Sequence, residues 1–335
     1  MTMKLDMFNH IFPKTYFDKM LEVAPNLKDM GKRVRALPVL YDLEARFRVM
    51  DEFDDYAQII CLAAPPLEVL SPELSPELAR IANDGMAEYV DKYPDRFPGF
   101  IASMPMNNPD ACLKEIDRAI DELNAVGIQF FSNVNGAPLD LPELKPLFAK
   151  MNEVDLPIWI HPTRGANISD YPTEEKSKYE IWFVFGWPYE TSVAVARLVF
   201  GYYFDEFPNL KIITHHMGGM IPYFEGRVGT SWDQLGARTS DEDYTVILKN
   251  LKKPHLEYFK QIYADTALFG AVAGTKCGLE FFGADQIVFA SDCPFDPEKG
   301  PMYIRETIKI IENLPISDED RYKIFEGNAR KLMKL

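Results

Sequence analysis

Short apolar runs rich in β-branched and aromatic residues alternate with amphipathic segments from one end of the chain to the other. In the segment 110–123, Leu113, Ile116 and Ile120 recur at the spacing of one helix face, and the segment 142–153 shows the same period. Such alternation is typical of βα units around a parallel sheet. The predicted strands are 4–8, 58–62, 99–104, 127–131, 157–161, 211–215, 262–265 and 286–290.

About eight strands favour a closed (β/α)8 TIM barrel over an open sheet, and we expect residues 1–335 to form a single barrel domain. Two long segments, 25–56 and 164–187, interrupt the alternation. Each of them follows a strand that carries a candidate site residue. We therefore expect long βα loops over the C-terminal mouth of the barrel, where they would act as lids or determine specificity.

Composition excludes several classes of partner. A formal net charge of -15 argues against nucleic acid and against anionic membrane, which both require clustered Lys and Arg. An anionic substrate must then be met by local basic residues. The four cysteines form no CxxC pair, and the chain has neither a secretion signal nor a run of roughly 20 apolar residues, so we expect a cytoplasmic protein with reduced thiols.

Histidine is scarce in the chain, and four of its five histidines lie at the C-terminal ends of predicted strands. A barrel brings these ends together at one mouth. Neutral imidazoles with a carboxylate suit Zn²⁺ or another divalent metal, with positions left open for water or substrate. One such histidine alone is more often structural, and we expect this of His255, but the joint arrangement predicts a metal site. The set consists of His10, His161, His215, His216 and Asp292.

The sequences "WIHPTR", "IITHHMGGMIPYFEGR", "QIYADT" and "VFASDCPFD" resemble the amidohydrolase superfamily. More narrowly, they resemble its branch of aminocarboxymuconate semialdehyde decarboxylase and gamma-resorcylate decarboxylase, over nearly the whole chain. The resemblance implies one divalent metal ion, Zn or Mn, at the mouth of a (β/α)8 barrel. By position, His10, His161 and Asp292 match metal ligands, and His216 matches a catalytic histidine. Arg227 matches an arginine that in some relatives reaches the substrate carboxylate across a dimer interface, which implies a homodimer.

Phe8 departs from this pattern, because the family places His or Glu at that position. Three protein ligands remain, which is a normal number for a catalytic zinc. Asp6, two residues earlier and expected on the same face of the strand, is a possible substitute ligand, but we favour a place in a hydrogen-bond network. Adjacent strand residues face opposite ways, so we do not expect His215 and His216 both to face the metal. A family member without metal remains an alternative.

The predicted reaction is the non-oxidative decarboxylation of an aromatic or unsaturated cyclic carboxylic acid. The fourth strand, "GIQFFSN", carries no lysine, so the two-metal hydrolytic site of some relatives is not expected. Asp292 would donate a proton to the ring carbon, and His216 would orient the substrate or exchange protons. Arg164 and Arg227 are the candidates for holding the acid.

Trp187 and Phe8 are the aromatic candidates for contact with the substrate ring, although core packing would explain the crowded aromatic residues around Trp187 equally well. Two other functions remain open. In the first, a mononuclear metal-dependent hydrolase or hydratase acts on a lactone or ring-cleavage product, with His216 as general base. In the second, the barrel binds a small acid without turning it over, as the loss of a ligand at Phe8 would allow.

Overall fold

The computed structural model describes residues 2–335, and its eight main strands form one parallel sheet in chain order. Backbone hydrogen bonds from Met7 N to Phe289 O (2.9 Å) and from His10 N to Cys293 O (2.8 Å) join the last strand to the first. The predicted (β/α)8 barrel is confirmed. Its strands are β1 Lys4–Ile11, β2 Tyr56–Leu62, β3 Gly99–Ser103, β4 Ile128–Phe131, β5 Ile158–His161, β6 Ile212–Thr214, β7 Tyr263–Asp265 and β8 Ile287–Val288.

Helices surround the strands and bury their apolar faces against them. The segments predicted at 110–123 and 142–153 form α5 and, after a 3₁₀ turn at Pro142–Leu144, α6. The α-helices are α1 Lys14–Val23, α2 Met30–Arg35, α3 Leu43–Met50, α4 Ser75–Lys92, α5 Pro109–Asp121, α6 Lys145–Val154, α7 Ile181–Val184, α8 Gly186–Phe200, α9 Tyr203–Glu206, α10 Thr245–Asn250, α11 His255–Gln261, α12 Val272–Phe282, α13 Pro301–Glu312, α14 Asp318–Tyr322 and α15 Asn328–Met333.

The barrel interior is a packed core below the mouth, as expected of a barrel of this size. Leu5, Ile59, Trp159 and Val288 are buried there in one apolar cluster, to which α15 adds Leu332 and Met333. A larger cluster fills the space between strands and helices. Because the lower part of the interior is filled by apolar side chains, a ligand can bind only at the mouth, where histidines line the barrel.

Strand β1 contains a β-bulge that reverses part of its expected alternation. Asp6 pairs with Gln58, but Asn9 pairs with Ile60, so three steps along β1 match two steps along β2. Phe8 joins the apolar cluster inside the barrel, whereas Asp6 bonds Tyr56 on the outside. The expectation that Asp6 shares a face with Phe8 was wrong, because a bulge shifts the side-chain period by one residue.

The two long segments predicted as loops contain short helices. Residues 25–56 include α2 and α3, and residues 164–187 include α7 and the first turn of α8. Helices of four to eight residues carry weak periodicity, so the sequence pattern does not reveal them. Among the described residues, none of the helices has the length and apolarity needed to cross a membrane.

Candidate metal centre at the barrel mouth

His10 and His161 point their Nε2 atoms into the mouth of the barrel. His10 Nδ1 lies 3.3 Å from the carbonyl oxygen of Leu62, and His161 Nδ1 lies 2.6 Å from that of Pro162. A carbonyl only accepts, so each neutral ring keeps its proton on Nδ1 and its lone pair on Nε2. Metal-binding histidines are commonly oriented by this kind of hydrogen bond.

His215 joins these two histidines at the mouth. Its Nδ1 bonds the carboxylate of Asp265 at the end of β7, so its Nε2 also faces inward. One nitrogen from each of His10, His161 and His215 lies within 4.8 Å of the others, and all three residues are buried. The structure thus brings together three imidazole nitrogens, one more than the sequence assigned to the metal.

His216 also faces the mouth, contrary to the expectation for two adjacent residues. Strand β6 ends at Thr214, and the backbone then turns through left-handed conformations at His216 (φ 55°) and Met217 (φ 53°). Strand alternation therefore no longer applies. The carboxylate of Asp265 accepts a hydrogen bond from His216 N (2.9 Å), which holds this costly turn in place. Nδ1 and Nε2 of His216 have no hydrogen-bond partner among residues 2–335.

Asp292 lies between the histidines and offers a different oxygen to each side. Its Oδ1 is 3.0 Å from His10 Nε2 and 3.5 Å from His215 Nε2, while its Oδ2 is 3.7 Å from His216 Nε2. The first pair does not have hydrogen-bond geometry. Two ligands of one ion, each about 2.1 Å from it and at right angles, lie about 3 Å apart. The separation of His10 and Asp292 therefore fits two ligands of a common metal.

Burial and the neighbouring charges set the protonation of the cluster. Burial and the nearby imidazoles of His215 and His10 hold the pKa of His161 well below its usual range. Burial also lowers the pKa of His216. Burial acts against charge on His215 too, but the carboxylates of Asp265 and Asp292 outweigh it and raise its pKa to about 9. The surrounding imidazoles outweigh burial at Asp292 and keep the pKa of its carboxyl well below the usual value. The carboxylates of Asp265 and Asp292 thus favour a positive charge at His215.

A cavity of about 690 Å³ opens above the cluster and reaches His161 and Asp292. The Trp187 ring lies 5.3 Å from that of His161, as predicted for a ring that walls the site. Phe269 lies 5.3 Å from His216 on another side. The other lining residues include Lys32, Arg33, Ala64, Trp182, Phe183, Phe295 and Tyr303. The cavity combines an aromatic wall with two cationic side chains and with the carboxylates of Asp29 and Glu180.

Phe8 lies beneath the histidines rather than on the cavity wall, because its side chain is completely buried and does not line the cavity. Its ring centre is 4.3 Å from that of His215 and 5.0 Å from that of His10. The expectation that Phe8 contacts the substrate directly does not fit this position. Its neighbours are the imidazoles themselves.

The two predicted arginines lie away from this cavity. Arg164 forms an ion pair with Glu190 (2.8 Å) and lines a smaller neighbouring cavity of about 390 Å³. Arg227 is exposed at the start of the π-helical turn Arg227–Ser231 and does not line either cavity. His255 has the expected structural place, with Nε2 2.8 Å from the carbonyl oxygen of Val228.

Comparison with known proteins agrees with this geometry. Residues 44–335 match the family model described as amidohydrolase. The chain is 32% identical over 302 residues to gamma-resorcylate decarboxylase of Polaromonas sp., with 87% of each protein covered. The chain belongs to the amidohydrolase family. The resemblance inferred from the motifs is confirmed.

Two further relatives of this amidohydrolase place it in the same branch. It is 27% identical to 2-amino-3-carboxymuconate-6-semialdehyde decarboxylase of Dictyostelium discoideum, over 100% of this chain and 92% of that protein. A dihydroxybenzoic acid decarboxylase from Polaromonas sp., solved with bound manganese and the inhibitor 2-nitroresorcinol, superposes with a TM-score of 0.78 at 28% identity. That alignment covers 100% of this chain and 98% of the solved one.

Three features of this amidohydrolase were missed in the sequence. The first is Asp265, which ends a strand in "YADT". Its place at a strand end, like that of Asp292 just after a strand, could have identified it as a site residue. Lys32 and Arg33 stand out only as a basic pair in an acidic chain. Arg33 donates a hydrogen bond to the carbonyl oxygen of Phe295. The two residues are 262 positions apart, so the local sequence does not predict this contact.

Proposed function

We propose that this chain is a metal-dependent, non-oxidative decarboxylase of an aromatic or unsaturated cyclic carboxylic acid, folded as one barrel domain over residues 1–335. The observation that carries the proposal is the presence of two close side-chain groups beneath an aromatic cavity. One consists of His10, His161 and His215, the other of His215, His216 and Asp292, and His10 Nε2 lies 3.0 Å from Asp292 Oδ1. Their free lone pairs suit a divalent metal, and nitrogen and oxygen donors together suit Mn²⁺ or Zn²⁺. We favour Mn²⁺, because the solved relative binds it.

The metal would act as a Lewis acid that neutralises the substrate carboxylate and a neighbouring oxygen. Asp292 would then use its two oxygens differently. Oδ1 faces His10 and the metal side, whereas Oδ2 faces His216 and is free to carry a proton. The low pKa of His216 leaves it neutral and able to exchange that proton.

The reaction needs one proton and releases one molecule of CO₂. Asp292 Oδ2 takes a proton from a substrate hydroxyl and passes it to the ring carbon that carries the carboxylate, and the product hydroxyl regains a proton from solvent. The bond between that carbon and the carboxylate breaks, and its electron pair restores the conjugated ring. The aromatic wall around Trp187 would hold the ring flat and exclude water from this step.

The acid would meet Arg33 or Lys32 at the cavity rim in place of Arg164, which is already paired with Glu190. These two side chains are the local positive charge that an anionic substrate requires in a chain of net charge -15. The position of Trp187 supports the substrate-contacting role predicted for it.

A panel of hydroxybenzoates, muconate semialdehydes and lactones tests the proposal. We expect CO₂ release from one or more aromatic acids with the Mn²⁺-loaded protein, and loss of that activity on chelation. Acid release from a lactone without CO₂ would instead support the hydrolase. Binding of an acid with no turnover in any metal-loaded sample would support a binding protein.

We further propose that the working unit is a cytoplasmic homodimer in which Arg227 reaches the partner's mouth. The exposure of Arg227 outside its own cavity supports this role. Mixing inactive Arg227→Ala and Asp292→Asn proteins tests it. Mixed dimers would contain one site with both residues intact and should regain about a quarter of wild-type activity if subunits exchange at random. No recovery after verified exchange would show that Arg227 does not act across the dimer interface.

A further inference from the structure

We propose that His215 is the fourth protein ligand of the metal, and that Phe8 occupies the place from which strand β1 would otherwise supply one. This inference rests on the proposed metal-dependent function. It assigns His10, His161, His215 and Asp292 to the ion, and leaves His216 for the proton. The ligand set would then draw on strands β1 and β5 and on the residues that follow β6 and β8.

The orientation of the His215 ring is the first support. Its Nδ1 bonds Asp265, and that carboxylate is itself fixed by hydrogen bonds from His216 N (2.9 Å) and Ala267 N (3.0 Å). The ring cannot turn without breaking this buried network. A carboxylate behind a histidine is a common way to orient a metal ligand and raise its basicity.

The position of Nε2 is the second support. His215 Nε2 is buried without a hydrogen-bond partner among residues 2–335, and the same is true of His10 Nε2. A buried polar atom left without a hydrogen-bond partner destabilises the fold. The Nε2 atom lies 3.5 Å from Asp292 Oδ1 and belongs to the same close group as the nitrogens of His10 and His161. One ion would satisfy all of these atoms together.

The packing of Phe8 is the third support. Its ring lies on the inner face of β1 beside His10, at 5.0 Å between ring centres, and contacts His215 at 4.3 Å. A residue in this place is close enough to the cluster to have been a ligand, but phenylalanine offers no donor atom. It instead supports the imidazole of His215. We therefore infer that His215, at the end of β6, supplies the ligand that Phe8 on β1 does not.

His216 provides a matched control, because it is adjacent in sequence and also faces Asp292. His215 belongs both to the close group with His10 and His161 and to a second one with His216 and Asp292, whereas His216 belongs only to the second. A His216→Ala protein should therefore keep its metal and lose turnover. A His215→Ala protein should lose affinity for the metal itself.

Metal coordination can be counted without an activity assay. We would load the full-length protein with Mn²⁺, label its histidines with ¹⁵N, and measure the number of coupled imidazole nitrogens by pulsed electron paramagnetic resonance. We expect three in the wild type, three in His216→Ala and two in His215→Ala. Mn²⁺ affinity should fall about 100-fold in His215→Ala and less than threefold in His216→Ala.

Two coupled nitrogens in the wild type would overturn the proposal, and this count needs no variant that might fold poorly. If the alanine protein does not fold, His215→Gln keeps the bulk of the side chain. Adding Phe8→His to His215→Ala should restore the third nitrogen, and failure to do so would refute the place assigned to Phe8. None of these readouts depends on which reaction the protein catalyses, so loss of the decarboxylase proposal alone would leave them intact.

Discussion

The buried polar groups on the two faces of strand β1 differ in whether they have hydrogen-bond partners. On the inner face, His10 Nε2 has no hydrogen-bond partner among residues 2–335. On the outer face, the guanidinium of Arg46 donates to Gln58 Oε1 (2.8 Å), Asn9 Oδ1 (2.5 Å), and the carbonyls of His10 (2.6 Å) and Val39 (3.2 Å). Both side chains are fully buried. A satisfied buried group holds the fold together, whereas an unsatisfied one is available for a ligand.

The largest expected effect comes from breaking the inner face. Asp292→Asn removes the charge that faces His10, His215 and His216 but keeps the size of the side chain. We expect turnover to fall at least about 1000-fold, which corresponds to about 4 kcal/mol of barrier. The free energy of unfolding without metal should change by less than about 1 kcal/mol. Rates of CO₂ release and urea denaturation measure the two quantities, and a collapse of stability with retained turnover would reverse the assignment of this face.

Breaking the outer face should have the opposite outcome. Arg46→Met removes all four hydrogen bonds and leaves their acceptors buried. We expect the free energy of unfolding to fall by about 3–5 kcal/mol, while the metal content of the folded fraction stays unchanged. Arg48→Met, at an exposed position on the same helix α3, is the control and should stay within about 0.5 kcal/mol. Loss of metal from folded Arg46→Met protein would contradict the separation of the two faces.

Glu68 sharpens the comparison, because it is buried and partly unsatisfied but does not belong to the histidine cluster. Its Oε1 accepts a hydrogen bond from Met106 N (3.2 Å), and its Oε2 has no partner within the described chain. Burial raises the pKa of this carboxyl to about 7. The folded state therefore holds a proton that the unfolded state releases near pH 4.5, so stability is lost as the pH rises between these values.

Replacing Glu68 by Gln should remove this pH-dependent loss. We expect Glu68→Gln to unfold at nearly the same denaturant concentration as the wild type at pH 5 and to be more stable by about 1–3 kcal/mol at pH 8. Denaturation curves at both pH values give the difference, with the exposed Glu73→Gln as control. If Glu68→Gln were destabilised equally at both pH values, the Glu68 carboxyl would have a stabilising partner. Its unpaired Oε2 would then not make Glu68 a source of pH-dependent instability.

The sequence predicted the features that depend on strand order and failed where the local backbone departs from regular structure. Strand ends converge in any barrel, so strand position predicted that His10, His161, His215, His216 and Asp292 lie at one mouth. The family resemblance then singled out His10, His161 and Asp292 as ligands. The two faces assigned to His215 and His216 were wrong, because a left-handed turn follows β6. Arg164 was paired instead with Glu190, a partner 26 residues away that the sequence does not specify. Bulges, turns and long-range ion pairs depend on the assembled fold.

The smallest expected effect tests the bulge itself, at Asp6. Its carboxylate accepts hydrogen bonds from Tyr56 Oη (2.5 Å), Ser291 N (3.0 Å) and Ser291 Oγ on the outer face, and burial raises its pKa to about 6. Asp6→Asn should change Mn²⁺ affinity less than threefold, because the side chain points away from the metal side of β1. Isothermal titration with Mn²⁺ measures this affinity. Regular strand alternation would put Asp6 on the inner face of β1 with Phe8. The substitution would then lower the Mn²⁺ affinity by about tenfold or more. The two outcomes differ enough to show which face Asp6 occupies in solution.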